Sequence, residues 1–210
     1  MRIVRLTVVF AALVLITGSA FAQQKTGVPA KLAIDSSEET PVMAAGHRHY
    51  AGYAGDCNLC DGVTIYQEVA RRIGPARMQA YVDAFDYGNR QIGSVIDQFW
   101  LRGPLEISAF EEARFTSRLA LKQLPVKPRT WDLVHRMLLI EKQGDAVLYA
   151  KTGVATEYQP EIGWWVGWVE REGKVYAFAL NIDMPLEADM AKRIPLGKRM
   201  MQALEVWPTP

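Results

Sequence analysis

The sequence predicts an α/β (α+β) fold in which helices pack on one antiparallel sheet. Three short runs rich in aromatic and β-branched residues, at 147–150, 163–169 and 175–180, are separated by turns that carry glycine. Such runs are typical of adjacent antiparallel strands. Apolar side chains recur at helical spacing before and after them, and 50% of the 210 residues are hydrophobic. That composition is enough for one domain with a sizeable core.

The charge pattern gives no support to a protein that binds nucleic acid. Lys and Arg number 24 against 23 Asp and Glu, so the formal net charge is +1. The basic residues are scattered among acids and form no stripe, which is the feature that a nucleic-acid-binding surface requires.

Residues 1–22 have the pattern of a secretory signal peptide. A basic start with Arg2 and Arg5 precedes an apolar run over 6–16, and Ala20-Phe21-Ala22 resembles a cleavage site. The apolar run is too short to span a bilayer. We therefore expect cleavage after Ala22, export to the periplasm or beyond it, and no membrane contact afterwards.

Residues 23–61 lack hydrophobic periodicity, and we expect this segment to be poorly structured or aberrant. It contains His47, His49, Cys57 and Cys60. These four residues suit a tetrahedral zinc site, and the two cysteines alone suit a redox pair in an oxidising compartment. Redox motifs lie between a strand and a helix, and this segment has no such pattern. We therefore favour the interpretation that the two cysteines have neither role and that the chain holds no metal.

Two helices and a turn are expected at the start of the domain, which we place at residues 62–210. Gly74 is suited to end the first helix and Pro75 to begin the second. The expected core residues of the two helices are Ile65, Tyr66, Val69, Ala70, Ile73, Met78, Tyr81, Val82 and Phe85. The following Tyr87-Gly88-Asn89 predicts a turn, because Gly and Asn tolerate the left-handed backbone conformation.

Two more helices are expected before the strands. Residues 97–108 predict a loop, and Ser108 with Glu111 matches a capping box that begins a helix reaching about Leu121. Another helix is predicted over about 130–142, after two prolines. Its inward side chains are expected to be Leu133, Val134, Met137, Leu138 and Ile140. We expect His135, on this helix, to lie at the surface or to have its hydrogen bonds satisfied.

The last segment, 188–205, is predicted to be broadly helical with an interruption at Pro195, followed by a frayed tail that includes Trp207.

The first predicted strand continues into Lys151-Thr152-Gly153. This tripeptide offers the ammonium of Lys151, the hydroxyl of Thr152 and, at Gly153, a backbone that a ligand can approach closely. Together these groups suit a ligand that carries a carboxylate beside a reactive carbonyl. A second Lys-Thr-Gly, at 25–27, lies where no strand is predicted, so the tripeptide alone is weak evidence. Its accompanying motifs are Tyr87-Gly88-Asn89, residues 99–108 and residues 164–169. In this order and spacing, residues 63–204 resemble the class D (oxacillinase-type) serine β-lactamases.

The resemblance implies a β-lactamase/penicillin-binding transpeptidase-like fold and a hydrolase that opens the β-lactam amide of penicillins and oxacillin. In this family the serine of a Ser-x-x-Lys motif is acylated, and the lysine of that motif carries a carbamate that acts as general base. No metal or other cofactor is implied. The partners implied are β-lactam small molecules, and a homodimer is a further possibility.

The resemblance also implies roles for individual residues. Trp100 matches the tryptophan that shields the carbamate, and Lys151 with Thr152 matches the residues that hold the substrate carboxylate. Gly153 completes that motif, and the backbone N–H of Val154 matches an oxyanion donor. The implied role of Tyr87-Gly88-Asn89 is a turn near the site. An arginine on the last helix also binds the carboxylate in this family, and the residues that match it are Lys192 and Arg193.

Two departures from the family pattern concern catalysis. The family's Ser-x-Val falls at Asp61-Gly62-Val63, and no Ser-x-x-Lys occurs anywhere in the sequence. Loss of the nucleophile and the base costs several orders of magnitude in rate. We therefore expect a partial class D domain, with its N-terminal part incomplete, that hydrolyses β-lactams poorly or not at all. The alternatives are a non-catalytic β-lactam-binding remnant and a metal or redox module built on Cys57 and Cys60.

Overall fold

The computed structural model describes residues 3–4 and 62–209 of the chain, with side chains described from residue 66 onward. The expected signal peptide, apart from residues 3–4, lies outside the described residues. So do residues 23–61, with His47, His49, Cys57 and Cys60, and the Asp61 that replaces the family serine. The domain boundaries and the three alternatives for the N-terminal segment therefore stay predictions.

Helices form the part of the structure that precedes the main sheet, and one more follows it. The α-helices of the described chain are α1 (Gly62–Ile73), α2 (Pro75–Ala84), α3 (Ala109–Ala120), α4 (Pro128–Leu138) and α5 (Arg193–Ala203). A 3-10 helix at Glu187–Lys192 leads directly into α5. No helix within residues 3–4 and 62–209 is both long and apolar enough to cross a membrane.

The helix boundaries follow the local signals of the sequence. Gly74 has a φ of 77° and ends α1, and Pro75 begins α2. Ser108 and Glu111 form the expected capping box, in which each side chain binds the backbone N–H of the other residue. These three predictions are confirmed, because each depends on contacts between residues close in sequence.

The main sheet is antiparallel. Its strands, in spatial order, are β3 (Leu139–Gln143), β4 (Ala146–Ala155), β5 (Glu161–Arg171) and β6 (Lys174–Met184). A separate pair joins β1 (Ile3–Val4) to β2 (Ile107–Ser108). The predicted helices on one antiparallel sheet are therefore confirmed, and the three predicted strands correspond to β4, β5 and β6.

Strand β5 is buried on both faces because helices cover the sheet on either side. One core contains Trp164 and Trp168 together with side chains of α1 to α4. The other contains Trp165 and Val169, which pack with Met201 and Trp207. Gly197 of α5 lies so close to the Trp165 ring that an added Cβ would stand 2.2 Å from it. Trp164, Trp165 and Trp168 thus pack on the two faces of β5, and the sheet lies between two layers of helices.

Three predictions about element ends are wrong. Helix α4 ends at Leu138, and the next residues pair with β4 as an edge strand, so Met137 and Ile140 are exposed rather than inward. Trp207 is 2% exposed and belongs to the core beneath the sheet, not to a frayed tail. The change from 3-10 to α-helix occurs at Arg193, two residues before Pro195, which lies in the first turn of α5, where a missing N–H costs nothing.

Candidate active site

Strand β4 carries Lys151-Thr152-Gly153 opposite the most buried part of β5. In the register, Lys151 lies beside Val166, Gly153 beside Trp164 and Val154 beside Gly163. Side chains alternate between the faces of a strand, which places Lys151 on the face of Tyr149 and Ala155, toward the larger core. The motif is therefore held on a paired, rigid strand and not on a loop.

Arg193 comes from the opposite direction to meet this strand. It is the first residue of α5 and only 8% exposed. Its Nη1 donates to the carbonyl oxygen of Gly153 at 2.6 Å, and its Nε donates to the carbonyl of Met190 at 2.9 Å. Lys192, the other residue that matched the family arginine, instead pairs with Asp189 at 2.5 Å. The structure thus brings Arg193, and not Lys192, against the Lys-Thr-Gly strand.

Gly163 leaves the space that Arg193 occupies. A Cβ at this position would lie 2.7 Å from Cδ of Arg193 and 2.5 Å from Sδ of Met184. Both distances are below normal van der Waals contact, so any larger residue must displace the arginine stem or the methionine. The preference for glycine here is explained by packing against Arg193.

Replacing Gly163 by Ala is expected to move Arg193 away from Gly153 and to weaken the binding of an anionic ligand about tenfold, which corresponds to about 1.4 kcal/mol. The measurement is calorimetric titration with benzylpenicillin, a carboxylate ligand of the class that the sequence resemblance implies, alongside a thermal unfolding curve. Gly144→Ala is the control for affinity, because nothing lies within 4 Å of the Cβ it would add; its φ of 60° is expected to cost some stability without changing the affinity. Equal affinity in wild type and Gly163→Ala would show that Arg193 has room to adjust.

The charges around the motif favour an anion. Burial and, to a smaller extent, the positive charge of Arg193 together lower the pKa of Lys151 to about 8. Burial also lowers the pKa of Arg193. The Nζ of Lys151 donates to the carbonyl oxygen of Thr152 at 2.8 Å, and within residues 62–209 no carboxylate forms an ion pair with it. Two incompletely neutralised cations at one site attract a carboxylate.

Trp100 lies in the loop between α2 and β2 and is 1% exposed. Its ring meets Phe99 edge to face, with centroids 4.9 Å apart. Trp100 belongs to the same buried cluster as Trp164, which is the register neighbour of Gly153. The tryptophan is thus placed on the helical side of the sheet with the motif strand, and its shielding role stays a prediction.

The turn Tyr87-Gly88-Asn89 supports the Trp100 loop. The Nδ2 of Asn89 donates to the carbonyl of Pro104 at 2.8 Å, and its Oδ1 accepts from the N–H of Glu106 at 3.2 Å. Its backbone N–H donates to the carbonyl of Glu106 at 2.9 Å. Asn89 therefore holds the loop that carries Trp100, and a role for it in the site stays a prediction.

Beneath this turn lies Glu112, which sequence reasoning missed. The Tyr87 hydroxyl donates to its Oε2 at 2.7 Å, the residue is 0% exposed, and its Oε1 has no hydrogen-bond partner. Burial raises the pKa of Glu112 to about 8 and, with the adjacent carboxyl, raises that of Tyr87 well above its ordinary value. The signal available was spacing, since Glu112 shares a helical face with Phe115, Thr116 and Leu119.

Comparison with known proteins tests the predicted family. The family model for the penicillin binding protein transpeptidase domain matches residues 62–202. A class D β-lactamase from Nostoc superimposes with a TM-score of 0.72 at 31% identity, over 94% of this chain and 82% of that one. This chain belongs to the class D β-lactamases. The resemblance and the penicillin-binding-type fold predicted from the motifs are confirmed.

Other class D β-lactamases give the same assignment. OXA-48 of Klebsiella pneumoniae is 42% identical over 146 residues, which make up 70% of this chain and 55% of the relative. OXA-5 of Pseudomonas aeruginosa is 39% identical over 142 residues, which make up 66% of this chain and 53% of the relative. FUS-1 (OXA-85) of Fusobacterium nucleatum superimposes with a TM-score of 0.71 at 28% identity, covering 95% of this chain and 81% of that one. The chain spans about half the length of the curated relatives it matches.

Within this class D domain the structure joins some predicted residues and separates others. Lys151, Thr152, Gly153 and Val154 share one strand, and Arg193 contacts it. Tyr87, Gly88, Asn89 and Trp100 form a second group on the helical side. Val63 lies in the first turn of α1.

His135 differs from its expectation of a surface or fully satisfied histidine. Its ring packs against Trp131, Tyr149 and Trp168, with centroids 3.4, 4.9 and 4.9 Å away. Its Nε2 is buried without a hydrogen-bond partner. Burial, together with the charge of Lys122, lowers the pKa of His135 to about 4. The aromatic neighbours come from α4, β4 and β5, which periodicity within one helix does not reveal.

Proposed function

We propose that the chain binds β-lactams of the penicillin and oxacillin type at the strand that carries Lys151 and at Arg193, and that it hydrolyses them poorly or not at all. The observation that carries the proposal is the pair of cations around Gly153, without an acid paired to Lys151 in residues 62–209. A penicillin carries a carboxylate next to its lactam ring. That carboxylate complements the two cations, while the lactam carbonyl lies within reach of strand-edge N–H donors such as Val154.

Support for the ligand class comes from the relatives, which are named β-lactamases at up to 42% identity among those described above. Support for impaired turnover comes from the sequence, because it contains no Ser-x-x-Lys. Binding and orientation remain when a nucleophile is lost, whereas the acyl-transfer steps do not. Recognition without efficient turnover is therefore the function that these residues support.

Two measurements on the full chain test this proposal. Calorimetric titration with benzylpenicillin reports binding, and the colour change of a chromogenic cephalosporin on opening of its lactam ring reports hydrolysis. We expect saturable binding and turnover at least a thousandfold below that of an intact class D enzyme. Turnover at an ordinary enzymatic rate would refute the impairment, and the absence of binding at millimolar ligand would refute the recognition.

Replacing Arg193 by Ala is expected to weaken benzylpenicillin binding between about tenfold and a hundredfold, since a charge-assisted hydrogen bond contributes about 1.5–3 kcal/mol. The matched control is Lys192→Ala, which removes the adjacent cation that already pairs with Asp189. Titration of both variants at two ionic strengths separates a specific contact from general attraction. An equal loss of affinity in the two variants would assign the effect to net charge alone.

We also propose export through a signal peptide formed by residues 1–22, with a soluble β-lactam-binding chain in the periplasm or outside the cell. N-terminal sequencing of the exported protein tests cleavage after Ala22. A homodimer is a further proposal, and sedimentation at micromolar concentration tests it.

A further inference from the structure

We propose that Gln67 and Arg71 of α1 are positioning residues that hold the Trp100 loop, residues 97–106, in its place on the Lys151 side of the sheet. The inference gives α1 a part in ligand recognition. It rests in part on the recognition of β-lactams proposed above, because ligand affinity is one of its two readouts. The other readout, the surroundings of Trp100, does not depend on a ligand.

Both side chains reach the first residue of this loop. The Nε2 of Gln67 donates to the carbonyl oxygen of Asp97 at 3.1 Å, and the Nη1 of Arg71 donates to its Oδ2 at 2.5 Å. Gln67 and Arg71 are four residues apart, so they lie on the same face of α1. The backbone and the side chain of Asp97 are thus held by separate contacts, which fix its orientation as well as its place.

The charges around Arg71 direct its guanidinium toward Asp97. Its Nε donates to Oε2 of Glu68 at 3.1 Å, and Oε1 of Glu68 accepts from Nε of Arg72 at 2.8 Å. Arg71 therefore lies between two acids, and Glu68 lies between two arginines. An ion pair within a network of charges is a stronger support than an isolated surface pair.

Asp97 leads directly into the turn that carries Trp100. The carbonyl oxygen of Gln98 accepts from the N–H groups of the residues three and four positions later, at 2.9 and 2.8 Å. These hydrogen bonds close a turn around Phe99 and Trp100, which are 0% and 1% exposed. Because the turn begins one residue after Asp97, a displacement of Asp97 is expected to move the buried tryptophan with it.

The other end of the loop is held by Asn89. Its side chain binds the backbone of Pro104 at 2.8 Å and that of Glu106 at 3.2 Å. Trp100 therefore lies between two anchors, one supplied by α1 and the other by the turn that follows α2. Since the anchors belong to different elements, the contacts of α1 can be removed while those of Asn89 remain.

The position of Trp100 bears on the site through the core behind the motif strand. Trp100 packs in the same buried cluster as Trp164, which is the register neighbour of Gly153. Arg193 donates to the carbonyl oxygen of that same glycine. Because protein interiors are close-packed, a shift of Trp100 is transmitted to its neighbours in the cluster. It therefore acts at the point where the ligand carboxylate is proposed to bind.

The first measurement is the nitrogen–proton NMR resonance of the Trp100 indole in the full chain, assigned by its loss in Trp100→Phe. Arg71→Gln is expected to shift this resonance and to speed the exchange of its proton with solvent. Arg71→Lys keeps a cation opposite Asp97 and should restore part of the shift. Arg72→Gln is the matched control, because it makes the same chemical change at the arginine that pairs with Glu68. An unchanged indole resonance in Arg71→Gln, or an equal shift in Arg72→Gln, would overturn the proposal.

The second measurement is calorimetric titration with benzylpenicillin. The side chain of Arg71 is 46% exposed, so Arg71→Gln is expected to weaken binding by only about threefold to fivefold, as for an exposed ion pair. Arg72→Gln should bind as wild type does, and Gln67→Met/Arg71→Gln, which removes both contacts, should have the largest effect on both readouts.

The two readouts separate this inference from the proposed function. A shifted indole resonance with unchanged affinity would overturn the part of α1 in recognition. If the wild-type chain binds no benzylpenicillin, the proposed recognition fails and the part of α1 in it fails too, while the NMR comparison still decides whether Arg71 positions Trp100.

Discussion

Replacing Glu112 by Gln is expected to make the folded chain more stable at pH 8 to 9, by about 4 kcal/mol relative to wild type, with a difference of only about 1 kcal/mol near pH 5. Glu112 is fully buried, accepts a hydrogen bond from Tyr87 and has a second oxygen without a partner. Removing a carboxyl from water disfavours its charged form. Glutamine has nearly the same shape but never carries that charge.

The sign of the effect follows from proton binding. Burial raises the pKa of Glu112 in the folded chain to about 8, against an ordinary value of 4.5. Between these two pH values the folded chain holds a proton that the unfolded chain has lost. The stabilisation is therefore complete below about pH 4.5 and is lost as the pH rises to about 8. Wild type should become less stable toward alkaline pH, and Glu112→Gln should remove this slope.

Urea unfolding followed by tryptophan fluorescence from pH 5 to 9 is the measurement. Glu172→Gln is the matched control, since it makes the same chemical change in the exposed turn between β5 and β6 and should keep the wild-type slope. A Glu112→Gln variant that unfolds more readily than wild type at every pH would mean that Glu112 is ionised and satisfied in the folded chain.

The sequence predicted best those features that depend on neighbouring residues. Strands β4 to β6 were located from their aromatic and β-branched runs, although each extends several residues further because its ladder partner prolongs it. Strand β3 was missed. Its residues, Leu139–Gln143, form an edge strand with mostly exposed side chains, so no apolar alternation marks them. Pairing with β4 stabilises this segment, and pairing is not encoded in local periodicity.

In the candidate site, too, local motifs could be predicted from the sequence, whereas contacts between distant residues could not. Lys151-Thr152-Gly153 and Trp100 were found from motifs, whereas the choice between Lys192 and Arg193 needed the fold. These two adjacent residues have similar charge, and only the packing of α5 against Gly163 shows which of them meets the strand. Glu112 was missed because a carboxylate on a helix is usually solvated. The hydroxyl that it binds lies 25 residues away in sequence.

The turn that carries Tyr87 also explains why Gly88 is a glycine. Gly88 has a φ of 54°, in the left-handed region that side chains disfavour. A Cβ there would lie 2.1 Å from the carbonyl oxygen of Glu106, which is backbone and cannot rotate away. That carbonyl is the acceptor for the N–H of Asn89. Strain and collision at Gly88 therefore act on the same contact that holds the Trp100 loop.

Gly88→Ala is accordingly expected to lower the free energy of unfolding by about 3 kcal/mol or more. This loss combines the cost of the left-handed backbone conformation with the cost of the collision between the new Cβ and the Glu106 backbone. Gly144→Ala is its control, because Gly144 has a similar positive φ, 60°, but nothing lies within 4 Å of an added Cβ. The control should lose only about 1 kcal/mol. Urea unfolding of both variants isolates the collision as their difference, and equal losses would show that the Glu106 backbone yields. Because the displaced backbone belongs to the loop that carries Trp100, Gly88→Ala should also shift the tryptophan emission of the folded chain, whereas Gly144→Ala should not.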